Sequence, residues 1–369
     1  MLRALAFWIA LPLAAQVTSA WKLVYFHDEE KSSLSLHDIA FGSTNCGAAL
    51  GAFTDERRAR PVAMVTHDGG TGWKQVAIKP EGHSLFFLDE HSGWMAANDG
   101  IYRSGDCGET WERVHSVRGV ERVYFRDPQR GYAVGHPKLV LQTSDGGTTW
   151  SKLPDADKPT AAADRSSYGT VAFQGNFGVI VGRHRPKRNQ ELKAPAWMDP
   201  EAAKSLRQLP SLTLLLQTVD GGSTWRANEL SILGHITRFR ITPNNAALSL
   251  VEFENNFEFP SEVYRVDLLQ NQTTRVFREA NRAVTDLLTM PTGVTHLAAT
   301  EPPGSLRQLP IPGKVKMLRS ADLAKWEEVP VDYRAVARRV TLGAGRSGPV
   351  IAVTDTGMIL RLVAVAPPQ

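Results

Sequence analysis

Five aspartates recur in one sequence setting, and their carboxylates are the first candidates for chemistry. Each lies in a segment of the pattern Ser/Thr-x-Asp-x-Gly-x-Thr-Trp, as in TSDGGTTW ending at Trp150. Paired carboxylates could act as the general acid and base of a hydrolase. These aspartates instead return once per repeat, so we expect each in the same structural turn of its own unit. The structural residues predicted in this way are Asp68, Trp73, Asp106, Trp111, Asp145, Trp150, Asp220, Trp225, Asp322 and Trp326.

The spacing of these segments predicts the architecture that carries them. Trp73, Trp111 and Trp150 follow one another at intervals of 38 and 39 residues. Each segment stands between two β-rich runs, such as KLVLQT and WSKL, which is typical of a hairpin turn. A second hairpin precedes each one, so a unit contains four strands. Four strands per 40 to 50 residues is the periodicity of a β-propeller.

Counting the strands predicts an all-β, seven-bladed propeller that spans residues 21–369. The fifth unit has lost its Trp, because EVYRVDLLQNQTTRVF stands where the segment should be. The last unit supplies three strands, and Trp21–Phe26 resembles an outer strand without a preceding turn. We therefore expect 21–26 to pair with 357–362 and to close the ring, which removes exposed sheet edges.

The N-terminal residues 1–20 have the features of a secretory signal peptide. Arg3 precedes an apolar run, and small residues stand at Thr18 and Ala20 before an expected cleavage site. The apolar run is about half the ~20 residues that a membrane span needs. The sequence thus predicts a secreted or periplasmic protein without a membrane span in the mature chain.

The repeated segments match the Asp-box, also called the BNR repeat. Together with Gly-Ile-Tyr/Leu before the box, they resemble the photosystem II stability/assembly factor family of seven-bladed propellers, most clearly at 87–111 and 125–150. The resemblance implies a scaffold that binds a protein client. It implies no catalytic residues, because the box is a turn that enzymes and non-enzymes share.

A sialidase-like glycoside hydrolase on the same fold is the alternative. A sialidase would need three arginines that bind a carboxylate, a Tyr–Glu nucleophile pair and an Asp as the catalytic acid. The Arg-Ile-Pro signature of sialidases is absent from this sequence. Tyr168 and Tyr333 lie between units where a nucleophile could stand, but no Glu is evidently placed beside them. The sequence therefore favours a non-enzymatic scaffold, possessing neither a cofactor nor a metal site.

Three enlarged loops carry most of the cationic residues that could bind a partner, including an insertion at about 183–211. Arginine clusters bind carboxylates and phosphates well. The resemblance to the assembly factor family also implies an arginine-rich patch that binds the client protein. We predict an acidic peptide segment or protein as the partner, in assembly or stability of an envelope complex. The candidate residues are Arg57, Arg58, Arg60, Arg183, Arg185, Lys187, Arg188, Arg207 and Arg307.

Composition narrows the remaining function classes. The net charge of +4 is too small to indicate nucleic-acid binding, and we expect a monomer. Cys46 and Cys107 fall in turns of different blades. An exported protein permits a disulfide between them, but two unpaired thiols are the expectation because the turns should lie at different radii.

Overall fold

The β-rich runs around each box segment form antiparallel hairpins, and four strands make one sheet. A computed structural model of the protein describes residues 18–56, 58–185, 211–242, 246–253, 259–267, 270, 272–301, 311–345 and 347–365. The described strands build seven antiparallel sheets, which are the blades of a seven-bladed β-propeller. This confirms the predicted fold class.

Within each blade the strands follow one another from the central channel outward. The first three blades contain β2 (Ser32–Phe41), β3 (Gly47–Asp55), β4 (Arg58–Thr66), β5 (Lys74–Ala77), β6 (Gly82–Asp89), β7 (Ser92–Ala97), β8 (Gly100–Ser104), β9 (Glu112–Ser116), β10 (Val120–Phe125), β11 (Gly131–Gly135), β12 (Leu139–Thr143) and β13 (Ser151–Lys152). Blades four and five contain β14 (Ser166–Gln174), β15 (Phe177–His184), β16 (Ser211–Thr218), β17 (Arg226–Ile232), β18 (His235–Thr242), β19 (Ala246–Glu252), β20 (Ser261–Asp267) and β21 (Gln272–Arg278). Blade six contains β22 (Ala283–Thr289), β23 (Thr295–Thr300), β24 (Gly313–Ser320) and β25 (Glu327–Val329), with the short β26 (Val336–Ala337) beside β24.

The first and last strands of the chain close the ring in one sheet. Blade seven contains β27 (Val340–Ala344), β28 (Val350–Thr354) and β29 (Met358–Val365), and β1 (Thr18–Phe26) is its outer strand. Trp21 pairs with Leu362 and Phe26 with Met358. The predicted closure is therefore confirmed, and pairing extends three residues into the segment predicted to be a leader. Two 3-10 turns, Pro154–Asp157 and Ala163–Arg165, join blades three and four. No helix in the described ranges is long and apolar enough to cross a membrane.

The core lies between neighbouring blades and is built from a repeated trio of Phe, Gly and Trp. In blade four, Phe173 at the end of the inner strand pairs with Gly178, and Trp225 stands edge-on to the Phe173 ring at 5.9 Å. A Cβ on Gly178 would lie 2.3 Å from that ring, so only glycine fits. The same trio is found in blades one to three, at Phe41, Gly47, Trp73, Phe87, Gly93, Trp111, Phe125, Gly131 and Trp150. Each Trp packs toward the preceding blade and fills the space between the two sheets.

Blade five departs from this trio at every position. The strand register aligns Ile241, Ala247 and Thr273 with Phe173, Gly178 and Trp225 of blade four. Among the described residues, no aromatic ring therefore occupies the position of the box Trp between blades four and five. A cavity of about 590 Å³ lies there instead.

The two cysteines form a disulfide, which corrects the expectation of unpaired thiols. Cys46 lies in the turn between β2 and β3, and Cys107 lies in the box turn of blade two; their Cα atoms are 5.7 Å apart. The backbone N–H of Cys107 donates to the Glu90 carbonyl oxygen, so this box turn packs directly on the neighbouring inner turns. The two turns meet at the blade boundary. From the sequence they were expected at different distances from the channel axis, too far apart for a disulfide.

Candidate partner-binding site at the channel mouth

One register position on the innermost strands places charged side chains around the central channel. A β-bulge interrupts the first hairpin of blades one to six. In blades one, three, five and six, the side chain after the bulge contacts the next blade. Asp38 accepts a 2.7 Å hydrogen bond from the Leu85 N–H, and Arg122 Nε donates to the Gly169 carbonyl oxygen at 3.1 Å. These contacts join neighbouring blades where they converge.

The strongest of these links joins blades five, six and seven. Asp286 is fully buried and accepts hydrogen bonds of 2.9 Å from Arg238 Nε and from the backbone N–H of Leu342. Arg240 lies 3.8 Å from the same carboxylate. Although burial opposes ionisation, the two arginines and the backbone donors hold the pKa of Asp286 below its ordinary value. Arg238 is thus neutralised within the protein.

A pocket of about 430 Å³ opens where these inner strands begin, at the mouth of the channel. Blades three, four, five and seven contribute to it, and four arginines and two glutamates line its wall. Arg183 extends into it from the end of β15, just before the insertion. The charged lining residues are Arg122, Arg183, Arg238, Arg339, Glu121 and Glu252.

The four arginines differ in what balances their charge. Arg238 pairs with Asp286, and Arg339 contacts Glu252 at 2.7 Å. Within the described part of the chain, neither Arg122 nor Arg183 has a carboxylate within ion-pair distance. Burial is the main factor that lowers the pKa of both guanidiniums, and neighbouring Arg185 adds to the effect at Arg183. Glu121 and Glu252 offset part of this effect at Arg183. Because neither Arg122 nor Arg183 is in a direct ion pair within the described residues, the concave site favours an anionic ligand.

The structure separates the arginines that the sequence grouped together. Arg183 lines the mouth pocket and Arg185 is exposed beside it. Arg58 and Arg60 are exposed on the blade-one hairpin and do not line this pocket, and Arg60 contacts Asp55 at 3.4 Å. The remaining predicted residues lie outside the described residues; they are Arg57, Lys187, Arg188, Arg207 and Arg307.

Sequence reasoning missed Arg122, Arg238 and Arg339, which the fold brings to the same mouth. Arg122 and Arg238 each follow the bulge of an innermost strand, so aligning the blades by strand register finds them. Arg339 immediately precedes β27, the innermost strand of blade seven. The arginines predicted from sequence were assigned to loops, whereas Arg122 and Arg238 lie in innermost strands and Arg339 lies directly before one.

The box aspartates lie in turns and accept hydrogen bonds from their own segments. Asp220 accepts the N–H of Thr224 at 2.9 Å and its hydroxyl at 2.6 Å, and Trp225 Nε1 donates to the Gly222 carbonyl oxygen. The aspartates of the other four boxes likewise accept backbone N–H groups within their turns, and they are Asp68, Asp106, Asp145 and Asp322. In blade six, Trp326 Nε1 instead donates to the Val276 carbonyl oxygen of blade five.

The two tyrosines considered for a hydrolase occupy unlike environments. Tyr168 is fully buried, its hydroxyl donates to the Ala156 carbonyl oxygen at 3.0 Å, and burial raises its pKa. Tyr333 is 88% exposed. Tyr168 therefore lacks the access that a nucleophile needs. In the described residues no group of three or more His, Cys, Asp and Glu side chains could hold a metal ion.

Comparisons with known proteins agree with this architecture. The family model described as "Photosynthesis system II assembly factor YCF48" matches residues 117–187. The "Photosystem II assembly lipoprotein Ycf48" of Synechococcus sp. (strain CC9902) is 24% identical over 145 residues, which are 35% of this chain. The match spans 42% of that relative's length.

Solved structures are similar over almost the whole chain. The structure described as "YCF48 bound to D1 peptide" has a TM-score of 0.57 at 13% identity, covering 93% of this chain and 100% of that one. YCF48 from Cyanidioschyzon merolae has a TM-score of 0.56 at 16% identity, covering 93% of this chain and 98% of that one. At these identities the likeness shows the fold. The chain is thus a BNR-type seven-bladed propeller that resembles the photosystem II assembly factor family.

Proposed function

We propose that this protein is an exported, non-enzymatic scaffold that binds an acidic segment of a protein partner at the channel mouth. The observation that carries the proposal is the pair Arg122 and Arg183, which line the mouth pocket without a carboxylate partner within the described residues. A carboxylate-bearing peptide would supply the missing negative charge and could accept bidentate hydrogen bonds. The pocket is concave and rests on rigid inner strands, which favours binding without a large ordering cost.

The similar proteins support a role in assembly. One structure of this fold holds a peptide, D1, and the curated relative is named as a photosystem II assembly lipoprotein. We infer that this chain likewise contributes to the assembly or stability of an envelope complex, with its own partner. The Cys46–Cys107 disulfide supports export, because disulfides persist in oxidising compartments. The expected location is secreted or periplasmic, and the expected state is a monomer.

Capture from the native envelope fraction tests this proposal. The mature chain serves as bait beside a mouth variant, Arg183→Gln with Arg185→Gln. A control variant, Arg58→Gln with Arg60→Gln, removes the same charge from blade one. We expect the mouth variant to lose the partner and the control to keep it, with weaker capture at about 0.5 M than at about 0.1 M salt because salt screens ion pairs. Equal capture by all three baits at both salt concentrations would contradict the proposal.

A further inference from the structure

The cavity between blades four and five adjoins the mouth pocket. The two share Val181, Ile236 and Phe253 as lining residues. Along β15, alternate side chains face blade five, so Phe177, Val179 and Val181 line the cavity and Arg183 continues the same row into the mouth. The cavity and the arginine site are therefore successive parts of one surface. Side chains that are two residues apart along this strand lie about 7 Å from each other.

The two walls of this cavity differ in polarity. The blade-four wall is mostly apolar, with Val179, Val181 and Leu215 among its residues. On the blade-five wall, polar residues occupy register positions that are apolar in blade four. Ser249, Tyr264 and Glu262 stand where blade four has Ile180, Leu216 and Leu214.

Ser249 is polar at a position where every other blade has an apolar residue. The counterparts by strand register are Ala49, Met95, Ala133, Ile180, Leu297 and Ala352. The Ser249 side chain is buried, with only 4% of the residue exposed, and its hydroxyl has no hydrogen-bond partner among the residues that the structure describes. An unpartnered buried hydroxyl costs stability, so its presence in a cavity points to a ligand that pairs with it.

The neighbouring Glu262 is already balanced. Its carboxylate contacts Arg278 at 3.1 Å and Arg275 at 3.3 Å and accepts the Tyr264 hydroxyl. A ligand in the cavity therefore needs no positive charge. It needs a large apolar body and one polar atom, which are the properties of a Trp or Tyr side chain.

We propose that this cavity receives a Trp or Tyr side chain of the same partner segment whose carboxylate binds the mouth arginines. The inference rests on the proposed function and names the partner's second recognition element. The anchor fills the space that the box Trp fills at intact interfaces, and its N–H or O–H pairs with Ser249. Spacing along β15 places the anchor two to four residues from the acidic group.

Four labelled peptides separate the two recognition elements. The parent is fluorescein-Gly-Ser-Gly-Trp-Ala-Glu-Asp with an amidated C-terminus, and three derivatives replace its Trp with Ala, its Trp with Phe, or both acids with their amides. Binding to the mature chain is measured by fluorescence anisotropy. We expect the Trp peptide to bind about tenfold more tightly than the Ala peptide, from burial of the ring. The Phe peptide should fall between them because it lacks the polar atom.

Two variants of the protein alter the cavity and leave the mouth arginines Arg122 and Arg183 unchanged. Ser249→Ile and Tyr264→Leu each introduce the residue that blade four has in the same register. In both variants, the Trp peptide should bind less than about threefold more tightly than the Ala peptide. The amide peptide should still bind more weakly than the parent peptide. Equal binding of Trp and Ala peptides with an intact acid effect would overturn the anchor and leave the proposed function standing. A Trp preference without an acid effect would overturn the proposed function instead.

Free indole gives a readout that does not depend on the peptides. At millimolar concentration it should raise the melting temperature of the wild-type protein, because a ligand that binds only the folded state stabilises it. The Ser249→Ile variant should show no such rise. If indole leaves both proteins unchanged and no peptide prefers Trp, the cavity is not an aromatic site and the inference is wrong.

Discussion

Two neighbouring interfaces of the ring share the register of their inner strands but differ in how well side chains fill them. One lies between blades three and four, and the other lies between blades four and five. At the first, Trp225 stands edge-on to Tyr132 at 5.7 Å and to Phe173, and Ile180, Leu214 and Leu216 complete a buried apolar cluster. At the second, the described residues form a small buried cluster of Ala172, Val179 and Val181.

The difference lies mainly in side chains, because both interfaces keep four-stranded sheets on either side and the backbone differs by one register shift between β20 and β21. A propeller interface depends on volume filling more than on hydrogen bonds between blades. Blade five can therefore lose its Phe, Gly and Trp while the ring stays closed. The lesson is that degeneration of one repeat can create space for a ligand while the neighbouring repeats preserve the fold.

Removing the ring from the filled interface should have the largest effect. Trp225→Ala is expected to lower the free energy of unfolding by about 3–5 kcal/mol, because it deletes a large buried side chain and leaves a void. Thr273→Ala, at the same register position of blade five, should change it by less than about 0.5 kcal/mol because Thr273 is exposed. Chemical denaturation followed by circular dichroism measures both. Comparable losses would mean that the second interface is also packed.

The paired glycine position gives a second, smaller contrast. Gly178→Ala should destabilise the protein by roughly 1–3 kcal/mol, since its Cβ would lie 2.3 Å from the Phe173 ring. The reverse change in blade five, Ala247→Gly, should cost only about 0.5–1 kcal/mol through chain entropy. Thermal unfolding of the two variants, compared with the wild type, measures both losses of stability. A harmless Gly178→Ala change would show that the ring moves freely and that the trio is not a constraint.

Substitution inside the cavity should reverse the usual sign of a core mutation. Ser249→Ile is expected to stabilise the ligand-free protein by about 1 kcal/mol, because it removes an unpartnered hydroxyl and adds apolar contacts. Its control is Ile180→Val in blade four, which should lose about 0.5–1.5 kcal/mol. Equilibrium unfolding in urea compares them. Destabilisation by Ser249→Ile would indicate that the hydroxyl is already satisfied in solution.

Acid titration should produce the smallest effect. The Thr224 hydroxyl and backbone N–H lower the pKa of Asp220 to about 2, below its ordinary value. The stabilising contribution of Asp220 is therefore complete above the ordinary pKa and is lost as the pH falls through about 2. NMR titration measures this pKa directly, and Asp220→Asn should make the acid loss of stability shallower. Asp145, whose pKa is also about 2, should behave alike. An ordinary pKa at Asp220 would contradict the turn contacts.

The sequence by itself determined the repeat and therefore the fold. A box segment needs a β-hairpin around it, and its spacing fixes the strands per unit, so the seven blades and the closing strand at 21–26 follow from local patterns. The loss of the box in the fifth unit was also visible. These features are local, since turn residues and alternating hydrophobicity act over a few neighbouring residues.

Only the tertiary structure decided which distant residues meet. Cys46 and Cys107 pair because two turns pack at a blade boundary, and Arg122, Arg183 and Arg339 share one mouth because the ring brings three blades together. Sequence spacing could not give these distances, because they depend on how each blade is rotated and packed against its neighbours. The cavity beside Ser249 is the clearest case. The sequence shows that a Trp is missing, but only packing decides whether the neighbours collapse into its place or leave it open.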